Sequence, residues 1–82
     1  MLARYYLEGF NVFMSDNTYK KIELVGSSSD GVENAVNNAT SRAGKTIRNM
    51  SWFNVAEVRG QLEDNKVARW QVTVKVGFTL DS

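Results

Sequence analysis

From Ala68 to Leu80 the side chains alternate without a break. Ala68, Trp70, Val72, Val74, Val76, Phe78 and Leu80 are apolar, and Arg69, Gln71, Thr73, Lys75, Gly77 and Thr79 fall between them. A period of two sustained over this length fits a β-strand with one apolar face, and it does not fit a helix. Such a strand requires neighbours along its edges and a cover over its apolar row.

The upstream sequence supplies candidates for both. Thr18 to Val25 reads as a strand with Ile22 and Leu24 on one face, and Gly26, Ser27, Ser28 and Ser29 punctuate it. Asp30 fits an N-cap, with Glu33 three residues later as in a capping box. Val32, Val36, Ala39, Ala43, Ile47 and Met50 follow at three- and four-residue spacings, which predicts one apolar helical stripe ending near Asn49. Arg42, Lys45 and Arg48 then fall in the last turns, where positive charge suits the helix dipole. Trp52 to Leu62 reads as a second strand whose alternation falters around Ala56–Arg59, and Glu63, Asp64, Asn65 and Lys66 form a polar turn before the third. The outline is β-α-β-β, an α+β fold.

Eighty-two residues form one small domain, and a chain of this size buries only about 60% of its unfolded surface. There is no Cys to staple it and no His. Thiolate metal sites, catalytic triads and redox-thiol chemistry are thereby excluded, which leaves carboxylate chemistry or binding. Glu23, Glu57, Glu63 and Asp64 show no spacing of a metal site or an acid/base pair. No catalytic residue is assigned, and the chain reads as a non-enzyme. A net charge of +1 creates no field that recruits nucleic acid or an anionic membrane. One helix covers one face of the sheet, so the face carrying Trp52, Arg69, Gln71, Thr73 and Lys75 needs water, a ligand or other subunits. Small size and open edges together point to a homo-oligomer.

Residues 1–13, MLARYYLEGFNVF, stand apart, and Met14 opens a polar stretch that resembles an ordinary N-terminus. They read as an upstream start or an added extension in preference to a native arm. Glu8 and Gly9 interrupt any secretory or membrane-spanning run. With no targeting signal elsewhere, the expected location is the cytoplasm.

Two binding chemistries stand out. Trp52 is either a core or interface tryptophan or a stacking platform for a flat ligand, since indole offers a wide π-face at little entropic cost. Trp70, inside the unbroken apolar row, reads as core. The Gln71 amide sets an acceptor beside donors, which matches the C=O/N–H edge of a uracil-like or isoalloxazine ring; the alternative is a solvated side chain. The Arg59 fork suits a phosphate or a structural ion pair. Arg42, Lys45 and Arg48 form either a solvated face or an anion contact.

Taken together, KKIELVGSSSDGVENAV, RAGKTIRNMSWFNVAEVRGQL and WQVTVKVGFTL closely resemble the dodecins, over about Thr18 to Asp81. The resemblance assigns residues 14–82 to a dodecin domain. It implies a three-stranded antiparallel sheet wrapping one helix, with twelve copies forming a hollow homododecamer. It also implies flavin binding, commonly FMN with FAD or riboflavin as alternatives, with isoalloxazine rings stacked between tryptophans of neighbouring subunits. By the same resemblance Trp52 is the stacking tryptophan, Gln71 meets the polar ring edge and Arg59 lies near ribityl or phosphate. Arg42, Lys45 and Arg48 are candidate coenzyme A contacts. Thr79 departs from the pattern, because relatives often carry a basic residue there. The function so implied is flavin storage, buffering and photoprotection. The rival reading is a flavin-free structural shell with Trp52 as an interface anchor.

A hairpin centred near Asp64 and Asn65 would set Trp52 opposite Gly77 and Val58 opposite Gln71, with Gly60 as a candidate bulge. Trp52 and Gln71 of one chain then stand about 20 Å apart at strand rise. A single ring spanning both contacts must draw on two chains.

Overall fold

The computed structural model describes residues 16–80. Residues 1–13, read above as an extension, lie outside that range. Four elements follow in order: β1 (Tyr19–Ser28), α1 (Val32–Ala43), β2 (Met50–Glu63) and β3 (Lys66–Thr79). Both sheet pairings are antiparallel, and the strand order is β1-β3-β2. The strand with unbroken alternation therefore sits in the centre, where both of its edges are paired. Its apolar row carries the core: Val72, Val74 and Val76 are buried with Ala35 and Val36 of α1, and Ile22, Leu24, Val32, Ala39 and Met50 pack around them. Among the described residues no helix is long and apolar enough to cross a membrane.

The start of the helix differs from the expected capping box. The N-cap is Gly31, and no side chain caps the helix. Instead the buried Ser28 hydroxyl donates to Asn34 Oδ1 (2.8 Å) and accepts from the Asp30 amide (2.8 Å). Asn38 Nδ2 donates to Ser27 O (3.0 Å). These bonds tie the first turns of α1 to the end of β1, and they explain why β1 runs through Gly26, Ser27 and Ser28 where punctuation was expected. Gly26 belongs to the strand because of close packing: a β-carbon there would overlap Ala35 O and come within 2.9 Å of Ala39 Cβ.

The helix also ends earlier than its apolar stripe. It stops at Ala43, before Gly44, and the chain turns through Lys45 and Thr46 with amides bonded back to Arg42 O and Ala43 O. Asn49 then adopts a positive φ of 66°. Ile47 and Met50 continue the stripe from outside the helix, and Met50 reaches the core from the first position of β2. Of the three basic residues, Arg42 alone lies in the last turn.

The hairpin turn is two residues long. Asp64 and Asn65 have φ of 52° and 66°, as in the primed turns whose twist matches that of the flanking strands. Fourteen-residue strands extend about 46 Å, and a twelve-residue helix about 18 Å. The helix therefore covers only part of the sheet, and it packs on β1 and β3. Trp70 belongs to the apolar row but is half-buried and outside the core cluster, contrary to its reading as a core residue. Phe53, Val55 and Val58 share the helix side of the sheet, being paired with Val76, Val74 and Val72, yet they remain 52%, 42% and 46% exposed.

Candidate ligand site on the open face of the sheet

Alternation along β3 sends Gln71, Lys75, Gly77 and Thr79 to the face away from α1. Trp52 joins them because of an irregularity in β2. Met50 pairs with Phe78 and packs on the core, while Trp52 pairs with Gly77, so Ser51 is an extra residue in the ladder. Strict alternation from Met50 would carry Trp52 to the helix side; the bulge turns it to the open side. Hydrogen bonds hold this point. Ser51 Oγ donates to Asn49 O (3.2 Å) and bonds Thr79 Oγ1 (3.2 Å), while the Thr79 amide donates to Asn49 O (3.1 Å).

The indole of Trp52 lies over Gly77. A β-carbon on Gly77 would overlap indole Cε2 and Cζ2 and stand 2.8 Å from Nε1. Glycine here supplies space for an aromatic ring flat against the backbone. From the far side, β1 contributes two side chains that local sequence reasoning missed. Tyr19 meets the indole edge to face at 6.5 Å and 64°, and Lys21 Nζ stands 5.8 Å from the ring centroid. Both lie two positions apart on β1, and Lys21 pairs with Gly77. Their alternation was visible, but their approach to Trp52 depends on the strand order. Despite these contacts Trp52 remains 41% exposed.

A second bulge, at Ala56, shifts the register between Val55–Val74 and Glu57–Thr73. Nearer the turn, Ala68 is an extra residue in β3 between Leu62–Val67 and Gln61–Arg69, and it sets Arg59, and not Val58, opposite Gln71. The bulge at Ala56 restores the register of the turn, causes the faltering alternation in β2, and brings Arg59 onto the same face as Trp52. Gly60 is regularly paired with Trp70 and is not the bulge. Arg59 and Gln71 are thus direct cross-strand neighbours, whereas Trp52, opposite Gly77, is six positions further along β3. At strand rise that is about 20 Å.

The basic trio does not form one surface. Arg42 and Lys45 line an open groove between the end of α1 and the edge strand β1, with Ser27, Asn38 and Ser41. Arg48 borders a separate hollow with Asn49, Phe78 and Thr79. Early termination of the helix removes the common spacing on which the trio depended. Among the described residues no cluster of His, Cys, Asp or Glu side chains is arranged to hold a metal.

The sequence and the fold are similar to those of known proteins. The dodecin family model matches residues 18–81. Dodecin from Thermus thermophilus is 48% identical over 63 residues, which span 77% of this chain and 91% of that protein. Dodecin from Streptomyces coelicolor has a TM-score of 0.79 at 54% identity, covering 84% of this chain and 99% of its own. Dodecin from Streptomyces davaonensis has a TM-score of 0.78 at 51% identity, over 83% of this chain and 100% of its own. Since the matched span takes in all four elements together with the Trp52–Gly77 and Arg59–Gln71 pairs, the chain belongs to the dodecin family.

Proposed function

We propose that this chain is a flavin-binding storage and buffering protein, and that it works as a cytoplasmic homododecamer without enzymatic activity. The observation that carries the reading is the Trp52 indole laid over Gly77 while still 41% exposed. An aromatic plane held against backbone is preorganised for stacking a second plane. Gln71 would meet the C=O/N–H edge of an isoalloxazine, and its cross-strand neighbour Arg59 would take up ribityl or phosphate. FMN is the preferred ligand, with FAD or riboflavin as alternatives. The bound flavin would supply the absorption of light and the capacity to accept an electron. Trp52 would protect against photochemistry by lending an electron to the excited ring stacked on it and taking it back. Arg42 and Lys45, which share a groove, would contact the phosphates of coenzyme A; Arg48 borders a separate hollow.

Assembly is supported by shape and surface. The Cα radius of gyration is 16.3 Å, against about 12 Å for a compact domain of this length. The apolar helix side of β2 lies open along Phe53, Val55 and Val58, which is a surface suited to copies of the same chain. A distance of about 20 Å between Trp52 and the Arg59–Gln71 pair further requires that one ring take its stack from one subunit and its polar edge from another.

Exposure of Trp52 and of adjacent Phe53 also favours a second reading, in which Trp52 anchors an interface of a flavin-free shell. Titration with FMN separates the two. A yellow complex with quenched flavin fluorescence supports the flavin reading; a colourless assembly that leaves FMN fluorescence unchanged supports the shell.

A further inference from the structure

We propose that Arg69 joins Arg59 in a two-guanidinium seat for a phosphate monoester, and thereby makes the site select phosphorylated flavin over riboflavin. The inference rests on the reading of Gln71 as the contact to the polar ring edge. Arg69 owes its place to the extra residue Ala68. Continued pairing from Leu62–Val67 would set Arg69 opposite Gly60, whereas the bulge sets it opposite Gln61. Arg69 and Gln71 alternate onto the same open face, and Arg59 stands across from Gln71. The two arginines are therefore diagonal neighbours, with Cα atoms about 7–8 Å apart, and Gln71 adjoins both. Both arginines are exposed, while Gln71 is half-buried.

No carboxylate sits between them. Glu57 lies two residues before Arg59, opposite Thr73, and Glu63 pairs with Lys66 next to the turn. From β1 the facing residue is Ser27, opposite Gln71, and the strand ends at Ser28, whose hydroxyl is bonded to Asn34 of α1 on the other side of the sheet. Among the described residues neither guanidinium makes an ion pair or a hydrogen bond. Two like charges at this spacing repel, and a dianion between them relieves the repulsion while each planar fork donates to its oxygens.

The ribityl chain leaves an isoalloxazine at N10, on the N1–C2 side of its polar edge. With that edge on Gln71, a phosphate at the end of this flexible chain returns to groups flanking Gln71. FMN carries such a phosphate and riboflavin does not.

The test measures dissociation constants of FMN and riboflavin at fixed ionic strength, for the wild-type assembly and for Arg69→Gln. The wild type is expected to bind FMN more tightly than riboflavin. Arg69→Gln should lower that ratio by roughly three- to tenfold, the scale of a solvent-exposed charge-assisted contact. The second proton leaves a phosphate monoester near pH 6, so the wild-type ratio should rise between about pH 5 and pH 7.5, and the rise should shrink in the variant. Riboflavin, uncharged over this interval, separates that effect from any change in the protein. Equal affinities for the two ligands in the wild type, or a ratio and pH profile that Arg69→Gln leaves as they are, overturn the inference while the flavin reading stands. A wild-type assembly that binds neither ligand overturns both.

Discussion

Trp52 and Gly77 face each other across the β2–β3 hairpin, and the indole fills the space that a β-carbon at position 77 would take. Gly77→Ala is therefore expected to tilt the indole off the sheet while the strand itself survives. Flavin affinity should fall about tenfold, equivalent to about 1.4 kcal/mol, in a variant that retains its assembly and circular dichroism. Unchanged affinity measured by fluorescence titration would show that the ring does not stack on the indole as held here.

Trp52 and Gln71 should fail in different ways. Trp52→Ala removes the platform, with an expected loss of roughly 1–3 kcal/mol and recovery of the fluorescence of any flavin still bound. Gln71→Ala removes a directional hydrogen bond of about 1 kcal/mol, and the remaining complex should stay quenched. Steady-state fluorescence at saturating flavin distinguishes the two, and an unquenched Gln71→Ala complex would argue against the division of roles.

The apolar helix side of β2 is expected to bind other copies. Phe53→Glu places a charge within the row formed by Phe53, Val55 and Val58. Sedimentation at micromolar concentration should show a large discrete assembly for the wild type and smaller species for the variant. A folded wild-type monomer as the main species would remove the basis for assembly.

Much of this architecture was legible in the order of residues. Alternation through Val72, Val74 and Val76 defined the core strand, and the stripe from Val32 to Ala43 defined the helix that covers it. What escaped detection has physical causes. A bulge changes the phase of alternation without marking its own position, so Ser51 and Ala56 left only a blurred pattern, and the extra residue at Ala68 set Arg59 opposite Gln71 where Val58 was expected. Met50 kept a helical spacing after the helix had ended, because core contact and helicity are separate properties. Tyr19 and Lys21 reach Trp52 only because β3 inserts between β1 and β2. Strand order of that kind is not encoded in local periodicity.

Residues 1–13 precede the matched family span, which begins at residue 18. Deleting them so that the chain starts at Met14 is expected to leave the sedimentation coefficient per subunit mass and the flavin affinity unchanged. Loss of assembly in the shortened chain would make the segment part of an interface.

One flavin ring is expected to draw on two subunits, because Trp52 and Gln71 of a single chain lie about 20 Å apart along the strands. Co-assembly of two variants measures this. Trp52→Ala and Gln71→Ala chains are unfolded, mixed in equal amounts and refolded together, and the high-affinity quenched sites are counted by flavin titration. Neither variant alone should contain a wild-type site, whereas the mixture should recover about one site in four with wild-type affinity and quenching, as independent contributions from symmetry-related chains require. Mixed shells verified by mass spectrometry that recover no such site would contradict the claim and place both residues within one chain's site.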